Sequence, residues 1–472
     1  MDKEKQTRYA FHVTGQTGWI NDPNGFSWYG DKIHLFFQHN PYKNTWGPMH
    51  WGHVTGTDFV KWTYEKIALS PDRPRYDSIF GAFSGSAIEF QGKYYLVYTG
   101  CNLRRQTQCI AVSDNGVDFT KYDGNPVLDK KDLPKKSSIA NFRDPKVWEK
   151  GGKVYMLVSA KNKYGGRSRL LLYHTNNMTE WSYGGVVFSN QKAKTAALGH
   201  MMECPDIFTL GGTDVLIISP QKVKGHKNRD ASVYVTGKLN YGTGGFECAE
   251  KNVREIDNGT DFYAPQTMQT PDGRRVMAAW MATWNRVPIN ALLGCGYAGA
   301  LTFPRELTLS DGRLFQNPVR EIERYYTERY EEKITLLGGT RYIEELSGKV
   351  QNITIEFLPT GGKTGISVFD DGKGNGLKIY YENRTVTLDR SKVIRDFYPS
   401  PSATTAVCDT PSDAKKIKLR LLMDKYSCEV FVCDGYSAMT TTVAPLDAQI
   451  KTYIFSDEEV FVTVARDRIE VK

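Results

Sequence analysis

The 472-residue sequence lacks the features that would assign it to several common protein classes. It has no run of about 18 apolar residues, the length needed to cross a bilayer, so no membrane partner is expected. The first eight residues are polar or charged and no apolar segment follows, which predicts no secretion signal and a cytoplasmic location. The eight cysteines are scattered without a C-x-x-C pair, which favours free thiols over a disulfide framework or zinc site.

Clustered charge is also missing. The net charge of +8 comes from 61 basic and 53 acidic residues that are dispersed along the chain. No basic run is interleaved with aromatic residues, as nucleic-acid binding would need. The glycine-rich segments at 361–363 and 372–376 lack the Lys-Ser/Thr ending of a phosphate-binding loop and are interpreted as hairpin turns. We therefore expect no nucleic-acid partner and no phosphate-binding loop.

Aromatic residues and glycine, by contrast, are abundant. The 27 tyrosines, 9 tryptophans and 43 glycines suit short strands joined by turns, with rings left over for a sugar-binding surface. The length is too great for one ordinary core, so at least two domains are expected.

Five aliphatic-aromatic strands recur at a nearly constant interval. They begin at Lys32, Lys93, Lys153, Thr213 and Arg275, so the starts differ by 61, 60, 60 and 62 residues. A constant period this long indicates repeated supersecondary units. A unit of this length, rich in strands and turns, fits a four-stranded propeller blade. We therefore predict an all-β fold that begins with a five-bladed β-propeller.

Each recurring strand is preceded by a polar motif at the same phase of its repeat. The motifs are Asn21-Asp22-Pro, Phe83-Ser84-Gly-Ser, Arg143-Asp144-Pro, Glu203-Cys-Pro-Asp and Asp261-Phe-Tyr263-Ala-Pro. Equal phase in a propeller means equal height and equal distance from the axis. The motifs should therefore converge on one mouth of the central channel, where proline suits the start of a strand.

The first motif lies in a hairpin with its turn at Gly30-Asp31. Paired positions that sum to 61 would place Gln38 opposite Pro23, one step from Asp22. A long aromatic loop, residues 40–52, leaves the hairpin at this open end. Its rings could stack on a sugar, whereas Trp51 is expected to pack between blades. His50 and His53 are expected to form structural hydrogen bonds, because no further ligand stands at metal spacing.

The pattern changes after the fifth repeat. We predict a propeller over residues 1–318, a charged, partly helical connector over 319–339 and a β-sandwich over 340–472. Seven or eight short strands are expected in the last region, and seven of them are placed at 353–357, 365–369, 377–381, 385–388, 417–423, 428–433 and 437–443. No acidic-proline motif recurs there, so no catalytic residue is expected in the sandwich.

Three carboxylates, those of Asp22, Asp144 and Glu203, are predicted to enter the same mouth. Two carboxylates that flank a bond are the apparatus of glycoside hydrolysis, in which one attacks and the other donates a proton. Arg143 beside Asp144 should keep Asp144 ionised, which makes it a poor proton donor and favours Glu203 as the acid.

At these residues the chain resembles glycoside hydrolase family 32, the β-fructofuranosidases, and especially its bacterial sucrose and sucrose-6-phosphate hydrolases. The matching stretches run in order along nearly the whole chain. They are 19–25, 36–41, 46–52, 83–86, 142–145, 203–206, 261–266 and 304–307, with 427–432 and 434–435 in the second domain.

The resemblance implies a retaining mechanism without metal or cofactor. It implies Asp22 as nucleophile, Glu203 as acid/base and Asp144 as transition-state stabiliser. The fructosyl pocket would be lined by Asn21, Gln38, Trp46, Phe83, Ser84, Arg143, Tyr263 and Trp280. The segment 289–297 departs from the family pattern because it lacks the expected tryptophans, which bears on the leaving-group side.

The expected substrate is sucrose, sucrose 6-phosphate or a short fructo-oligosaccharide, and Lys43, Arg104 and Arg105 are candidate phosphate partners. Alternatives are an exo-acting fructanase (inulin or levan) or a fructosyltransferase on the same site, an arabinose- or xylose-specific relative, and a non-catalytic sugar-binding propeller. The protein should be a monomer or homodimer.

Overall fold

The computed structural model describes residues 8–103, 105–164, 166–190, 198–249, 253–394 and 404–471. The fold is all-β and consists of a five-bladed β-propeller followed by a C-terminal β-sandwich, as predicted. The chain divides into two units, Gly15–Glu255 with Tyr263–Trp280, and Met1–Thr14 with Ile256–Phe262 and Met281–Lys472. Among the described residues no helix has the length and apolar character needed to span a membrane.

The first unit is built of antiparallel meanders in chain order. Blade one contains β1 (Gly18–Tyr29), β2 (Lys32–Asn40), β3 (His50–Gly56) and β4 (Thr63–Tyr64). Blade two contains β5 (Gly81–Phe90), β6 (Lys93–Asn102), β7 (Arg105–Ser113) and β8 (Thr120–Lys121). A 3-10 turn, Lys130–Asp132, precedes blade three, which contains β9 (Ser137–Lys150), β10 (Lys153–Asn162), β11 (Ser168–Thr175) and β12 (Ser182–Ser189). Blade four contains β13 (Met201–Leu210), β14 (Thr213–Gln221), β15 (Val233–Leu239), β16 (Phe246–Cys248) and β17 (Arg254–Glu255), and β18 (Tyr263–Gln269) and β19 (Arg275–Trp280) form a further hairpin.

The recurring strands of the sequence are the second strands of their hairpins. Strands β2, β6, β10, β14 and β19 begin at the predicted residues. Their partners β1, β5, β9, β13 and β18 contact one another in succession, and β18 also contacts β1. Gln266 helps to close this ring, because its Oε1 accepts the backbone N–H of Phe26 at 2.8 Å and its Nε2 donates to the carbonyl oxygen of Gly85 at 2.9 Å. These five innermost strands therefore surround a central channel.

Every innermost strand carries a β-bulge near the same end. The register shifts lie after Ile20, Phe83, Arg143, Glu203 and Tyr263. In three strands the next residue has a positive φ, +64° at Asp144, +44° at Cys204 and +52° at Ala264. Side-chain-bearing residues rarely adopt this conformation, and it concentrates where a strand must re-aim its side chains. Proline follows each of the three, and its missing N–H costs no ladder bond at a bulge.

The bulge in β1 corrects the predicted register of the first hairpin. Positions pair with a sum of 61 near the turn, as at Tyr29 and Lys32, but Ile20 pairs with His39. Two irregularities displace the strand, so Gln38 lies opposite Asn21 and Asp22 rather than opposite Pro23. The amide is thus one step closer to the carboxylate than a regular hairpin would place it.

The second unit contains a short α-helix, α1 (Ile289–Leu292), the short strand β20 (Tyr297–Ala298) and a hairpin of β21 (Arg305–Ser310) and β22 (Arg313–Pro318). The sandwich contains β23 (Tyr326–Tyr342), β24 (Gln351–Phe357), β25 (Thr364–Asp370), β26 (Leu377–Glu382), β27 (Thr385–Asp389), β28 (Thr405–Asp409), β29 (Ile417–Asp424), β30 (Ser427–Val432), β31 (Ser437–Thr442) and β32 (Lys451–Ile469). The first half of β32 pairs with β25 and its second half with β24, so two sheets share this strand. Their facing side chains form one aliphatic core.

All seven predicted sandwich strands are present, with ends that differ by one or two residues. The structure differs over the predicted connector at 319–339. Only Arg320–Tyr325 is helical, as 3-10 turns, and Tyr326–Tyr342 is a strand that pairs with β32 along its length. In this strand Ile334 and Leu336 alternate inward while charged residues face outward, so the two-residue period is easily mistaken for charged helix.

Candidate active site

Asp22 lies at the bulge of β1 and is 7% exposed. Its Oδ2 accepts a hydrogen bond from Ser84 Oγ at 2.7 Å, and Cys204 Sγ lies 3.6 Å from the same oxygen. Among the described residues Oδ1 has no partner of good geometry, although it is fully buried. Burial raises the pKa of Asp22 and the charge of Glu203 adds to the effect, whereas the hydrogen bonds, including that from Ser84, lower it.

Cys204 connects two of the three predicted carboxylates. Its backbone N–H donates to Asp144 Oδ2 at 3.0 Å while its thiol faces Asp22. Burial raises the pKa of this thiol well above its usual value, so it stays protonated beside the two acids. The bulge conformation at Cys204 therefore lets a single residue contact both aspartates.

Arg143 was expected to keep Asp144 ionised, but its effect on the pKa of Asp144 is smaller than the effect of burial. The guanidinium Nε lies 3.8 Å from Asp144 Oδ2 and lowers the pKa of that carboxyl. Burial outweighs this effect and raises the pKa of Asp144 to about 7, to which the charge of Glu203 also contributes. The sequence showed the adjacent arginine but not the depth of burial.

Arg143 instead binds Glu203. Its Nε donates to Glu203 Oε1 at 3.0 Å, and Nη2 donates to the same oxygen at 2.5 Å. Burial alone would lower the pKa of Arg143, but the charges of Glu203 and Asp144 raise it, so the guanidinium stays charged. The geometry therefore leaves Glu203 Oε2 as the oxygen with freedom to exchange a proton.

Tyr263 occupies that second oxygen. Its hydroxyl lies 2.8 Å from Glu203 Oε2 and 2.9 Å from the carbonyl oxygen of Ser219. A tyrosine hydroxyl has one hydrogen to donate, and the Ser219 carbonyl can only accept. The hydroxyl hydrogen therefore points to one of these two oxygens at a time, and the contact holds Glu203 Oε2 in a fixed position.

The polar residues assigned to the sugar pocket lie at the same bulges. Asn21 is buried and its Oδ1 accepts the indole N–H of Trp19 at 2.7 Å. Gln38 is buried and its Nε2 donates to the Ala82 carbonyl at 3.0 Å. These bonds hold the two amides beside Asp22, where each retains further capacity for sugar hydroxyls.

Two aromatic residues flank this group. Trp46 is 40% exposed and meets the half-buried ring of Phe83 edge to face, with ring centroids 5.9 Å apart. Exposed rings in this arrangement offer an apolar face to a sugar. Trp51, by contrast, is fully buried against Phe36 and Tyr98, as predicted for a residue between blades. His53 stacks on Phe36 and hydrogen-bonds His34, consistent with a structural role.

Trp280 lies deeper than a sugar-contacting residue. Its side chain is fully buried, and its ring packs against Trp19 with centroids 5.7 Å apart. Trp280 thus contacts the residue whose indole donates to Asn21, and its place in the sugar pocket stays a prediction. Asp261, which shares the fifth motif with Tyr263, is bound by Arg390 and Thr442 in the second unit. Burial raises its pKa, but Arg390 and Arg286 outweigh burial and lower the pKa of Asp261 to about 2.

The predicted phosphate partners have other surroundings. Arg105 forms an ion pair with Asp129, so its charge is already partnered. Lys43 is exposed on the aromatic loop, and Arg104 lies outside the described residues.

Sequence reasoning missed two residues that hold the site. Thr99 Oγ1 accepts the backbone N–H of Asp144 at 3.0 Å. Gln106 Oε1 accepts from Arg143 Nη1 at 3.3 Å and from the Phe142 N–H at 3.0 Å. Thr99 pairs with Phe83, Ser159 with Arg143 and Ser219 with Glu203. These three hydroxyl residues of the second strands are sixty residues apart. That spacing was the signal that could have identified Thr99.

The site thus combines three buried carboxylates with one guanidinium, that of Arg143, whose side chain is 12% exposed. Like charges held together in a low dielectric separate the protonation states of acids, so one can ionise while another keeps a proton. Such a set can attack an electrophilic carbon and protonate a leaving oxygen.

Comparison with known families gives two matches that together span nearly the whole chain. Residues 12–318 match the family described as "Glycosyl hydrolases family 32 N-terminal domain", and residues 321–471 match "Glycosyl hydrolases family 32 C terminal".

Individual relatives agree with these matches. The chain is 32% identical to the sucrose-6-phosphate hydrolase of Escherichia coli, over 96% of this chain and 92% of that protein. It is 34% identical to the raffinose invertase of Escherichia coli, over 92% and 89% respectively. The solved structure of the sucrose-6-phosphate hydrolase from Lactobacillus gasseri superposes with a TM-score of 0.86 at 26% identity, covering 98% of this chain and 93% of that one.

Proposed function

The chain belongs to glycoside hydrolase family 32, and on this premise we propose that it hydrolyses sucrose and sucrose 6-phosphate, releasing the β-D-fructofuranosyl residue as fructose. The observation that carries the proposal is the convergence of Asp22, Asp144 and Glu203, joined through Cys204 and Arg143. The relatives that bear the names sucrose-6-phosphate hydrolase and raffinose invertase support the choice of substrate.

In the first step Asp22 attacks the anomeric carbon of the fructosyl residue as a carboxylate. The bond from that carbon to the glycosidic oxygen breaks, and Glu203 gives its proton to the departing oxygen. Ser84 supports this role of Asp22 because its hydroxyl stabilises the ionised Oδ2. Tyr263 on Oε2 and Arg143 on Oε1 support this role of Glu203 because they fix the orientation of its carboxyl group.

In the second step a water molecule attacks the fructosyl–Asp22 ester. Glu203, now ionised, takes a proton from the water, and Asp22 departs as a carboxylate. Arg143 stabilises the ionised Glu203 between the two steps through its two donors to Oε1. Two inversions at the same carbon retain the β configuration.

Asp144 acts on the sugar and not on the scissile bond. Its Oδ2 is held by the Cys204 N–H and its backbone N–H by Thr99, so the carboxyl is fixed in place. A fixed carboxyl can accept hydrogen bonds from fructosyl hydroxyls, and these strengthen as positive charge develops on the ring.

The proposed compartment follows from the substrate. A phosphorylated disaccharide carries charge and does not cross a bilayer unaided, so the enzyme would act where the ester is made. We place the activity in the cytoplasm on this ground, and the monomeric or homodimeric state stays a prediction.

The deciding experiment is incubation of the protein with sucrose, sucrose 6-phosphate, 1-kestose and inulin, followed by chromatography of the products. We expect fructose from the disaccharides at a higher kcat/KM than from inulin. Faster release from inulin or levan would assign an exo-fructanase, and longer oligosaccharides from sucrose would assign a transferase. Sugar binding by calorimetry with no fructose release would assign a non-catalytic binding protein.

A further inference from the structure

Three lysines in the described residues are buried to the same extent, and one of them differs from the others. Lys121, Lys146 and Lys161 are each 7% exposed. Lys121 Nζ pairs with Asp77 at 2.6 Å, and Lys146 Nζ pairs with Asp206 at 2.9 Å. Buried ammonium groups are normally paired in this way, because an isolated charge loses its hydration.

Lys161 has no carboxylate partner among the described residues. Its Nζ lies 2.9 Å from His200 Nδ1, and a neutral imidazole neutralises no charge. Burial lowers the pKa of His200, and the charges of Lys161, Lys222 and Arg143 lower it further, so the ring stays neutral. Lys161, a residue that is 7% exposed, therefore lies beside further cations, and its ammonium group contacts the exposed ring of His200.

The neighbouring loop adds to the positive charge. The His200 N–H donates to the Gln221 carbonyl at 2.7 Å, which brings His200 beside Lys222. Lys222 is exposed and begins the sequence Lys-Val-Lys-Gly-His-Lys-Asn-Arg. The nearest carboxylate of this loop, that of Asp230, accepts the backbone N–H of Lys222 at 2.9 Å. Among the described residues no carboxylate forms an ion pair with a side chain of the basic cluster, defined as Lys161, His200 and Lys222.

The basic cluster flanks the proposed proton donor. Lys161 stands two residues after Ser159, which pairs with Arg143, the residue that binds Glu203. His200 lies three residues before Glu203 on the segment that enters β13. The basic cluster is therefore placed to contact a leaving group that Glu203 protonates.

We propose that the basic cluster is the part of the leaving-group subsite that binds a phosphate ester, so that the preferred leaving group is an anionic hexose phosphate. This inference rests on the proposed function and deepens it. A phosphate monoester carries a charge of about −1.5 to −2 at neutral pH and has three acceptor oxygens. It would provide the buried Lys161 with the counter-charge that Lys121 and Lys146 obtain from aspartates.

The test is the ratio of kcat/KM for sucrose 6-phosphate to kcat/KM for sucrose. We expect a ratio above about 10, equivalent to about 1.4 kcal/mol. Lys161→Met should lower the ratio at least about tenfold, because one strong charge-assisted contact is lost. Lys153→Met is the matched control, since Lys153 is an exposed lysine at the opposite end of the same strand and its removal changes the net charge equally. A parent ratio near one, or equal losses on both substrates in Lys161→Met, would overturn the inference.

A second variant guards against misfolding of Lys161→Met. Lys222→Gln changes an exposed residue and should weaken inhibition of sucrose hydrolysis by glucose 6-phosphate while leaving inhibition by glucose unaltered. Unchanged inhibition by glucose 6-phosphate would contradict the subsite. If the parent released no fructose from sucrose the proposed function would fail, and calorimetry with glucose 6-phosphate would then still decide whether the cluster binds the ester.

Discussion

The two ends of the innermost strands use the same kinds of residues in opposite ways. At one end the carboxyl groups of Asp22, Asp144 and Glu203 lie together, but the one guanidinium pairs only with the last two, and burial raises the pKa of both aspartates. At the other end Asp206 and Lys146 form a pair at 2.9 Å, and Lys146 also donates to the Thr267 carbonyl at 2.7 Å. At the first end the acidic groups outnumber the basic groups, whereas at the second end one acidic and one basic group neutralise each other.

The backbone differs in parallel with the charge. The first end contains the five aligned bulges and the positive φ values at Asp144, Cys204 and Ala264, while at the second end β13 pairs regularly with β14 from Asp206 to Leu210. The regular ends line a cavity of about 480 Å³ together with aromatic side chains that include Trp28 and Trp148. Strain and unpaired charge therefore concentrate where chemistry is proposed, and the opposite end of the same strands holds them in place.

The largest expected effect is the loss of activity in Asp22→Asn. The amide has nearly the same size but is a far weaker nucleophile, so kcat on sucrose should fall by about 10³-fold or more. The folded pKa of Asp22 is raised, so its ionised form opposes folding at neutral pH. The variant should therefore keep or slightly raise the unfolding temperature. Activity within tenfold of the parent would remove Asp22 from the nucleophile role.

The loss of activity caused by replacing the general acid Glu203 should depend on the leaving group. Glu203→Ala should lower kcat/KM on sucrose by about 10²–10⁴-fold, the usual contribution of a general acid. An aryl fructoside with an activated phenol as leaving group needs less protonation of the departing oxygen. The rate of its first step should therefore fall much less in this variant. Parallel steady-state assays on the two substrates measure this difference, and equal losses would contradict the assignment.

At the opposite end the same kind of change should affect stability and not catalysis. Lys146→Met leaves Asp206 as an unpaired buried charge, which should lower the free energy of unfolding by about 3–5 kcal/mol. At a temperature where the variant is folded, kcat/KM on sucrose should stay within about threefold of the parent, because no substrate contact changes. Denaturant titration measures the free energy of unfolding. If this free energy is unchanged in Lys146→Met, the pair of Lys146 and Asp206 does not support the fold. The double variant Lys146→Met/Asp206→Leu should recover part of the loss.

The smallest expected effect is a shift in the pH profile. Burial raises the pKa of Asp22 and the Ser84 hydroxyl lowers it, so Ser84→Ala should raise it further. Asp22 must be ionised to attack, so the acidic limb of kcat/KM moves to higher pH, by about one unit for a bond of about 1.5 kcal/mol. Ser86→Ala is the matched control, because Ser86 donates to the Pro145 carbonyl and not to a carboxylate. Coincident acidic limbs for the parent and Ser84→Ala would contradict the proposed environment of Asp22.

Periodicity made much of this fold predictable. The strand starts at Lys32, Lys93 and Lys153 could be identified because turns and aliphatic runs are local signals. The position of Gln38 was displaced by one residue because a bulge leaves no local trace in composition. The strand at 326–342 was missed because its inward positions are few and its outward positions are charged.

The candidate site could be predicted as a set of residues but not as an electrostatic environment. The acidic-proline motifs indicated Asp22 and Asp144, and the repeat placed Glu203 with them. The raised pKa of Asp144 depends on burial, which no adjacent residue reveals. The same holds for Lys161, whose sequence neighbours are ordinary and whose missing counter-charge becomes visible only in three dimensions.

The most direct test of the central claim is the configuration of the fructose first released from sucrose. If Asp22 forms a covalent fructosyl intermediate, proton and carbon NMR at early times should show β-fructofuranose before the anomers equilibrate. Initial α-fructofuranose would mean a single displacement by water, and it would contradict the assignment of Asp22 as the nucleophile.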